Sequence, residues 1–223
     1  MCGRVNLAGL SSRELFEWLE LGKPPAGTPE IPSRWNVPPT SDLPILRRPD
    51  GTARLDLARW WFIPHWHRGT LSEFKATTFN ARVETAATSP TFRDAWRRAR
   101  CVIPVSGYYE WQKRGTERQP LYISPAGNAP ALLLAGLWSS VRLPDFEGLT
   151  CTILTETAPE PMSSIHNRMP VILSPDRALD WLDGADASAL PRLGLPGLAW
   201  HPVTRAVGSV RNDGPELIEP IDA

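Results

Sequence analysis

The stretch CVIPVSGYYEW, residues 101–111, decides the fold. It is rich in β-branched and aromatic side chains, a composition typical of a strand with at least one buried face. Pro104 predicts an edge strand or a bulge, because proline cannot donate to a β-ladder. Two more runs of this kind follow, ALLLAGLWSSV at 131–141 and LTCTILT at 149–155. The centre of the chain is therefore predicted to be a sheet.

Short helices alternate with the strands on both sides of this centre. A serine followed by helix-forming residues predicts helix starts near Ser11, Ser89 and Ser174. Two outer strands are predicted at residues 54–64 and 197–204. This irregular mixture of helices and strands is typical of an α+β fold rather than of repeated βαβ units.

Composition limits the kind of protein. The 24 basic residues balance 24 acidic ones, which argues against indiscriminate binding to polyanions. The three cysteines, Cys2, Cys101 and Cys151, lack paired spacing, so we predict neither a disulfide framework nor a zinc ribbon. This cysteine usage predicts a reducing compartment. No basic leader and no long apolar run is present, which predicts a soluble cytoplasmic protein without a membrane segment. The proline-rich residues 24–51 are predicted to form an extended loop.

Four short stretches place chemically capable groups among aromatic or turn residues: MCGR (1–4), FNARVET (79–85), SGYYEW (106–111) and SSIHNRMPVIL (163–173). Each one alone has a structural explanation. Asn80 suits a turn, Glu110 an exposed strand position and His166 a hydrogen-bonded loop.

Together these stretches resemble the SRAP family, the SOS-response-associated peptidase-like proteins that crosslink to abasic DNA. MCGR, NARVE, GYYEW, HNRMP and VRNDGPELIEP occur in the family's order between residues 1 and 220. RWNVPPT (34–40) and RWWFIPHW (59–66) depart from the family pattern. The resemblance implies one domain over residues 1–223, with a twisted, mainly antiparallel, barrel-like sheet and several short helices. It also implies a monomer that needs no cofactor and no metal ion.

The resemblance implies a reaction for Cys2 that its chemistry supports. Once Met1 is removed, Cys2 carries a primary amine and a thiol on adjacent carbons. An abasic site opens to an aldehyde, with which the amine forms an imine and the thiol then closes a thiazolidine. We assign His166 to proton transfer at the sugar hydroxyl, Glu110 to the amine and the departing water, and Asn80 to orienting the terminus. An imine also permits lyase cleavage of the strand.

Abasic sites offer no base to read, so we predict contacts with the DNA backbone and stacking on neighbouring bases. The predicted phosphate contacts are Arg4, Arg82 and Arg168. Further predicted DNA contacts are Asn36, Pro39, Trp60 and Trp61, with Trp66 as another stacking candidate. The resemblance implies single-stranded DNA containing abasic sites, including single-strand to double-strand junctions, as the partner. The protein would then be associated with the nucleoid when it is bound to DNA.

Two alternatives remain open on the sequence. In the first, a thiol peptidase with autoproteolytic activity uses Cys2 as nucleophile and His166 as base, oriented by Asn167 or Asn80. In the second, His65 and His67 are ligands in a non-catalytic zinc or nucleic-acid module. A peptidase needs the thiolate and an oxyanion hole, whereas the crosslink needs amine and thiol on one residue.

Overall fold

The structure is a computed structural model that describes residues 2–185 and 194–222. Within these ranges the chain forms twelve strands and four α-helices. The strands are β1 (Val5–Asn6), β2 (Asp42–Arg47), β3 (Arg54–Trp60), β4 (Asn80–Arg82), β5 (Arg100–Val105), β6 (Gly107–Arg114), β7 (Glu117–Pro125), β8 (Leu132–Arg142), β9 (Glu147–Thr157), β10 (Arg168–Pro170), β11 (Ile172–Leu173) and β12 (Leu198–Pro202). The helices are α1 (Ser12–Trp18), α2 (Val83–Ala86), α3 (Arg93–Arg98) and α4 (Ala178–Leu182).

Five strands close into a barrel. Going round it, β9 pairs with β3, β3 with β2, β2 with β5, β5 with β8, and β8 with β9 again. Only the β3–β9 pair among these is parallel. A second antiparallel sheet has the order β1-β6-β7-β12. The predicted α+β fold, with a mainly antiparallel, barrel-like sheet and short helices, is confirmed.

The stretch at residues 101–111 connects the two sheets. Its first half is barrel strand β5, and after Ser106 its second half is β6 of the other sheet. The prediction of an edge strand at Pro104 is wrong, because β5 pairs with β2 on one side and β8 on the other. The register with β2 is the single pair Leu46–Val102, so Pro104 lies beyond it and its missing N–H removes no bond to β2.

Six strands were not predicted: the short strands β1, β4, β10 and β11, and the longer strands β2 and β7. β2 lies inside the residues that were predicted to form an extended loop, and it contains Pro44, which pairs with Leu57 of β3. β7 alternates less clearly than its neighbours, yet it pairs with β6 along its length. The apolar run Leu43–Leu46 is buried in the barrel, and that burial outweighs the proline signal.

The helices are short and lie on the outside of the strands. Ser11 caps α1 as predicted, since its hydroxyl accepts from Glu14 N at 3.2 Å and donates to the Glu14 carboxylate at 2.7 Å. The longest helix in the described ranges is α1 with seven residues, so no helix there is long and apolar enough to cross a membrane.

One continuous core fills the barrel and extends to the second sheet. Packing inside is tight enough to demand glycine at position 136, where an added Cβ would lie 2.8 Å from Ile103 Cδ1 and from Thr152 O. All three cysteines are buried and free, and burial raises the pKa of the Cys101 and Cys151 thiols. These two barrel thiols are therefore inert packing groups.

Candidate active site

The pairing of short strands brings the four sequence stretches together. β1 runs antiparallel to β6, with Val5 opposite Tyr108 and Tyr109 N bonded to Arg4 O at 3.0 Å. The residues just before Arg4 therefore run beside the second half of SGYYEW. β4 and β10 both pair with the end of β9, where Thr155 lies in register with Arg82 and with Pro170. The ends of two sheets thus form one site.

Cys2 lies at the centre of this site. Its side chain is fully buried, and its carbonyl accepts a 2.6 Å hydrogen bond from Asn80 Nδ2. Burial, followed by the nearby Glu110 carboxylate, raises the pKa of the Cys2 thiol. The thiol is therefore neutral at physiological pH. Asn80 Oδ1 is buried without a hydrogen-bond partner, so the same amide has an acceptor available next to Cys2.

Glu110 and His166 face each other across the site. His166 Nε2 lies 3.9 Å from Glu110 Oε1, and the Glu110 side chain is 7% exposed against 30% for His166. The backbone N–H of Arg168 points at His166 Nδ1, 3.0 Å away. Arg168 O also lies 3.1 Å from Nδ1, so the Arg168 backbone offers this nitrogen both a donor and an acceptor, and Nε2 is the nitrogen on the Glu110 side. A buried carboxylate and a partly exposed imidazole are suited to moving protons.

Tyr108 is a further site residue that the sequence analysis missed. It shares one face of β6 with Glu110, because alternate residues of a strand point the same way. Its hydroxyl is buried without a hydrogen-bond partner. Burial, then the charges of Cys2 and Glu110, raise the pKa of Tyr108. The two-residue spacing from Glu110 was the available signal.

Arg168 is held by contacts within the protein, and these contacts argue against the predicted contact with phosphate. Its two terminal nitrogens bind both carboxylate oxygens of Glu84, at 2.6 and 2.8 Å, and Nη2 also donates to Thr155 O at 2.5 Å. The side chain is 12% exposed. A phosphate would have to compete with Glu84 and Thr155 for this guanidinium. Arg168 links the NARVE and HNRMP stretches, and its backbone holds the ring of His166.

The contacts of Asn36 within the protein likewise argue against the predicted contact with DNA. Asn36 is fully buried, and its Nδ2 donates to the carbonyls of Val207, Ser209 and Asn212. Its Oδ1 accepts from Arg4 Nη1 at 2.7 Å. Both polar atoms of its side chain are hydrogen-bonded within the protein, so Asn36 holds residues 207–212 of the C-terminal segment in place.

The closing VRNDGPE stretch has a structural role in the same region. Asp213 accepts hydrogen bonds from Trp35 N at 2.6 Å, Asn36 N at 3.1 Å and Arg34 Nε at 2.8 Å. Burial opposes ionisation of Asp213, but these donors outweigh it and lower the pKa of the carboxyl. The ionised Asp213 therefore ties the tail to residues 34–36.

Arg4 is only partly committed to the fold. Its Nη1 donates to Asn36 Oδ1 and to Val207 O, both at 2.7 Å, and its guanidinium lies 5.8 Å from the Trp111 ring centre. Its Nη2 has no hydrogen bond or ion pair with any described residue. Arg4 is thus held in a fixed position with one amino group still available.

The remaining predicted DNA contacts differ in exposure. Trp60 is fully buried, and its indole N–H donates to Phe79 O at 2.7 Å, which argues against the predicted stacking on bases. Trp61 and Pro39 are half-buried. Arg82 is exposed and makes no hydrogen bond or ion pair within the described part of the chain. Trp66 is 47% exposed.

The geometry bears on both alternatives. His166 Nδ1 faces the Arg168 backbone, the Asn80 amide donates to Cys2 O, and the Cys2 thiol is buried and neutral, which does not favour a thiolate nucleophile. In the other alternative, His67 Nε2 lies 3.0 Å from Thr70 O, and His65 lies 4.0 Å from an Asp94 oxygen. Residues 2–185 and 194–222 contain no group of three or more His, Cys, Asp or Glu residues suited to a metal ion.

Comparison with known proteins identifies the family of this chain. Residues 1–210 match the sequence model of the family described as SOS response associated peptidase (SRAP). The chain is 36% identical to the abasic site processing protein YedK of Escherichia coli (strain K12), covering 99% of this chain and 100% of that protein. It is 33% identical to the abasic site processing protein HMCES of Gallus gallus, over 94% of this chain and 70% of that one.

Solved structures show the same fold. A protein of Bacteroides thetaiotaomicron superposes with a TM-score of 0.82 at 21% identity, covering 99% of this chain and 100% of its own. A protein of Bordetella bronchiseptica superposes with a TM-score of 0.75 at 29% identity, covering 91% of this chain and 100% of its own. The family match spans nearly the whole chain, and so this chain belongs to the SOS response associated peptidase (SRAP) family.

Proposed function

We propose that this protein captures abasic sites in single-stranded DNA and crosslinks to them through a thiazolidine on Cys2, after removal of Met1. The main support is the convergence of Cys2, Asn80, Glu110 and His166 at one buried site. The names of the relatives, abasic site processing proteins in a bacterium and a vertebrate, support the lesion as the substrate. The crosslink shields the lesion.

The chemistry balances with the groups present. The Cys2 amine adds to the sugar aldehyde at C1′, and the carbinolamine loses one water to give an imine. The thiol sulfur then bonds to the imine carbon while its proton passes to the nitrogen, which closes a five-membered ring. The net change is loss of one water, and no oxidant or metal ion is required.

Each neighbouring group has a role in these steps. His166 takes the proton of the C1′ hydroxyl and delivers it to the sugar ring oxygen as the ring opens. Glu110 takes a proton from the attacking amine and returns it to the departing hydroxyl. An α-amine of pKa about 7.7–8.0 is partly unprotonated at neutral pH, so part of the amine is nucleophilic before Glu110 accepts a proton. Asn80 holds the Cys2 backbone, and that fixed geometry gives ring closure the advantage of a unimolecular step.

DNA binding involves positively charged arginines and flat apolar side chains. Arg82 is exposed without a partner among the described residues, and Arg4 keeps one amino group free, so these two contact phosphates. Trp61, Trp66 and Pro39 offer surfaces for neighbouring bases. The protein acts as a monomer on single strands and at single-strand to double-strand junctions in the cytoplasm. The imine also permits strand cleavage.

Intact mass spectrometry tests the proposal. Processed protein is mixed with a single strand that contains one abasic site, and a matched strand carries a tetrahydrofuran analogue that has no aldehyde. The expected product is a stable adduct whose mass is the sum of protein and DNA less one water, on the first strand alone. Adduct on both strands, or on neither, contradicts the proposal.

A further inference from the structure

A second basic feature lies away from the site, and the proposed reaction does not use it. A cleft of about 260 Å³ is lined by four arginines, Arg48, Arg97, Arg98 and Arg100, together with Trp138 and Asp183. We call it the arginine cleft. Arg98 and Trp138 also line a neighbouring cavity of about 430 Å³, so the two spaces form one groove across the outside of the barrel.

Three elements deliver these arginines to one place. Arg48 directly follows β2, Arg97 and Arg98 end α3, and Arg100 begins β5. Arg100 is fixed, with its guanidinium 4.2 Å from the Trp181 ring centre and its Nη1 bonded to Ala185 O at 2.6 Å. Arginines that serve only as the solvent-exposed face of α3 need not lie beside arginines from other elements. Here Arg48 and Arg100 lie in the same cleft as Arg97 and Arg98.

Among the described residues, Arg97 and Arg98 give the cleft positive charge without a carboxylate partner. Arg48 is paired with Asp183 at 2.8 Å. Arg97 and Arg98 are exposed, and within the described part of the chain they make no hydrogen bond or ion pair. The chain as a whole has a formal net charge of zero, so this excess is local. Guanidinium groups that line a cleft without carboxylate partners suit phosphate.

An aromatic surface accompanies the charge. Trp138 is half-buried in the wall of the cleft, and Arg47 lies over one side of its ring at 4.6 Å from the centre. A groove that combines guanidinium groups with an indole is the arrangement that tracks a single nucleic-acid strand. A small inorganic anion would use the charge but not the indole.

The register of the barrel places the cleft relative to the site. Trp138 of β8 is opposite Cys151 of β9, whereas the site residues Asn80 and Arg168 are opposite Ile153 and Thr157 of the same strand. Along β9 the site therefore lies about 7 to 20 Å from the register of Trp138. That range corresponds to about two to six stacked nucleotides at 3.4 Å each. A strand held at the site can therefore extend to the cleft.

We propose that the arginine cleft binds the phosphate backbone of the DNA strand several nucleotides away from the lesion. The choice of DNA as the ligand rests on the proposed function, but the cleft's binding does not require the covalent reaction. The cleft adds affinity for long strands without reading their sequence. Strands too short to reach from the site to the cleft gain nothing from it.

Salt-dependent binding to lesion-free single strands of about 5 and about 25 nucleotides tests this inference. Each phosphate contact contributes about −0.7 to the slope of log K against log salt for single strands. Arg97→Ala/Arg98→Ala should flatten the slope for the long strand by about 1.4 and leave the short strand unchanged. Both side chains are exposed and unbonded among the described residues, so the melting temperature should not change.

The matched control is Arg13→Ala/Arg118→Ala, which removes the same charge from exposed arginines outside the cleft. It should leave both slopes at the wild-type value. An unchanged long-strand slope in the cleft variant, or equal flattening in the control, overturns the inference. Because no abasic site is present, a flattened slope supports the cleft even if the protein forms no adduct.

Discussion

Replacing Arg168 or Arg82 by alanine should have opposite effects on stability and on the salt dependence of DNA binding. Arg168→Ala should destabilise the fold and leave the salt dependence of DNA binding unchanged, because its guanidinium binds Glu84 and Thr155. Arg82→Ala should leave stability unchanged and flatten the slope by about 0.7, because Arg82 is exposed and has no partner in the described ranges.

The magnitude for Arg168 follows from its contacts. The bond from its charged Nη2 to Thr155 O contributes about 1.5–3 kcal/mol. The Glu84 carboxylate is 46% exposed, so solvent screening limits the ion pair to about 1 kcal/mol at most. The loss of stability should be about 1.5–4 kcal/mol. For a chain of 223 residues this lowers the melting temperature by about 3–16 °C.

Scanning calorimetry and salt titrations of binding to an intact single strand measure the two effects. Glu84→Gln is the control, because it removes the ion pair and keeps the bond to Thr155, and it should lower stability by no more than about 1 kcal/mol. The reasoning is refuted if Arg168→Ala melts with the wild type and flattens the slope by about 0.7.

Three further predictions concern the site and the tail. Glu110→Gln and His166→Gln should bind intact single strands as wild type does and form adduct markedly more slowly in a quenched time course, because each removes a proton carrier; normal adduct rates would show that neither moves a proton. Tyr108→Phe should raise the free energy of unfolding by about 1 kcal/mol in urea titrations, because it removes a buried hydroxyl without a partner, and a destabilised variant would mean that the hydroxyl is bonded. The lowered pKa of Asp213 makes it stabilising above its unfolded value of 3.8, and this stability is lost as pH falls through the folded pKa. Asp213→Asn should therefore be less stable than wild type at pH 7 and show a smaller loss between neutral and acid pH; equal losses in urea midpoints would refute this assignment.

The sequence was informative where local chemistry determines structure. Ser11 and Glu14 form the predicted helix cap, because both partners lie within one turn. The central stretch predicted strands correctly, since burial of its apolar side chains on the barrel agrees with its β propensity. Contacts link Cys2 with Asn80 and Glu110, and Glu110 with His166, and the catalytic roles assigned to these four residues stay predictions.

Contacts between residues that are distant in sequence could not be predicted in the same way. The pairing of Arg168 with Glu84 depends on β4 and β10 both meeting the end of β9. Asn36 looked like a loop residue open to solvent, but the C-terminal segment covers it. Trp60 was indistinguishable from Trp61 until the strand fixed which of the two faces the core. Each of these outcomes depends on a partner that is distant in sequence.

The central claim is that both reacting atoms belong to Cys2. Inserting one alanine between Met1 and Cys2 leaves the thiol intact and converts the Cys2 nitrogen to an amide, which cannot form an imine. Cys2→Ala keeps a terminal amine and removes the sulfur. Adduct yield on a strand with one abasic site is measured by denaturing gel and intact mass, with and without borohydride.

The expected result is a stable adduct from processed wild type alone. Cys2→Ala should give a product only when borohydride traps its imine, and the inserted variant should give neither. A full yield of stable adduct from the inserted variant would contradict the account, because the thiol would then be the sole nucleophile.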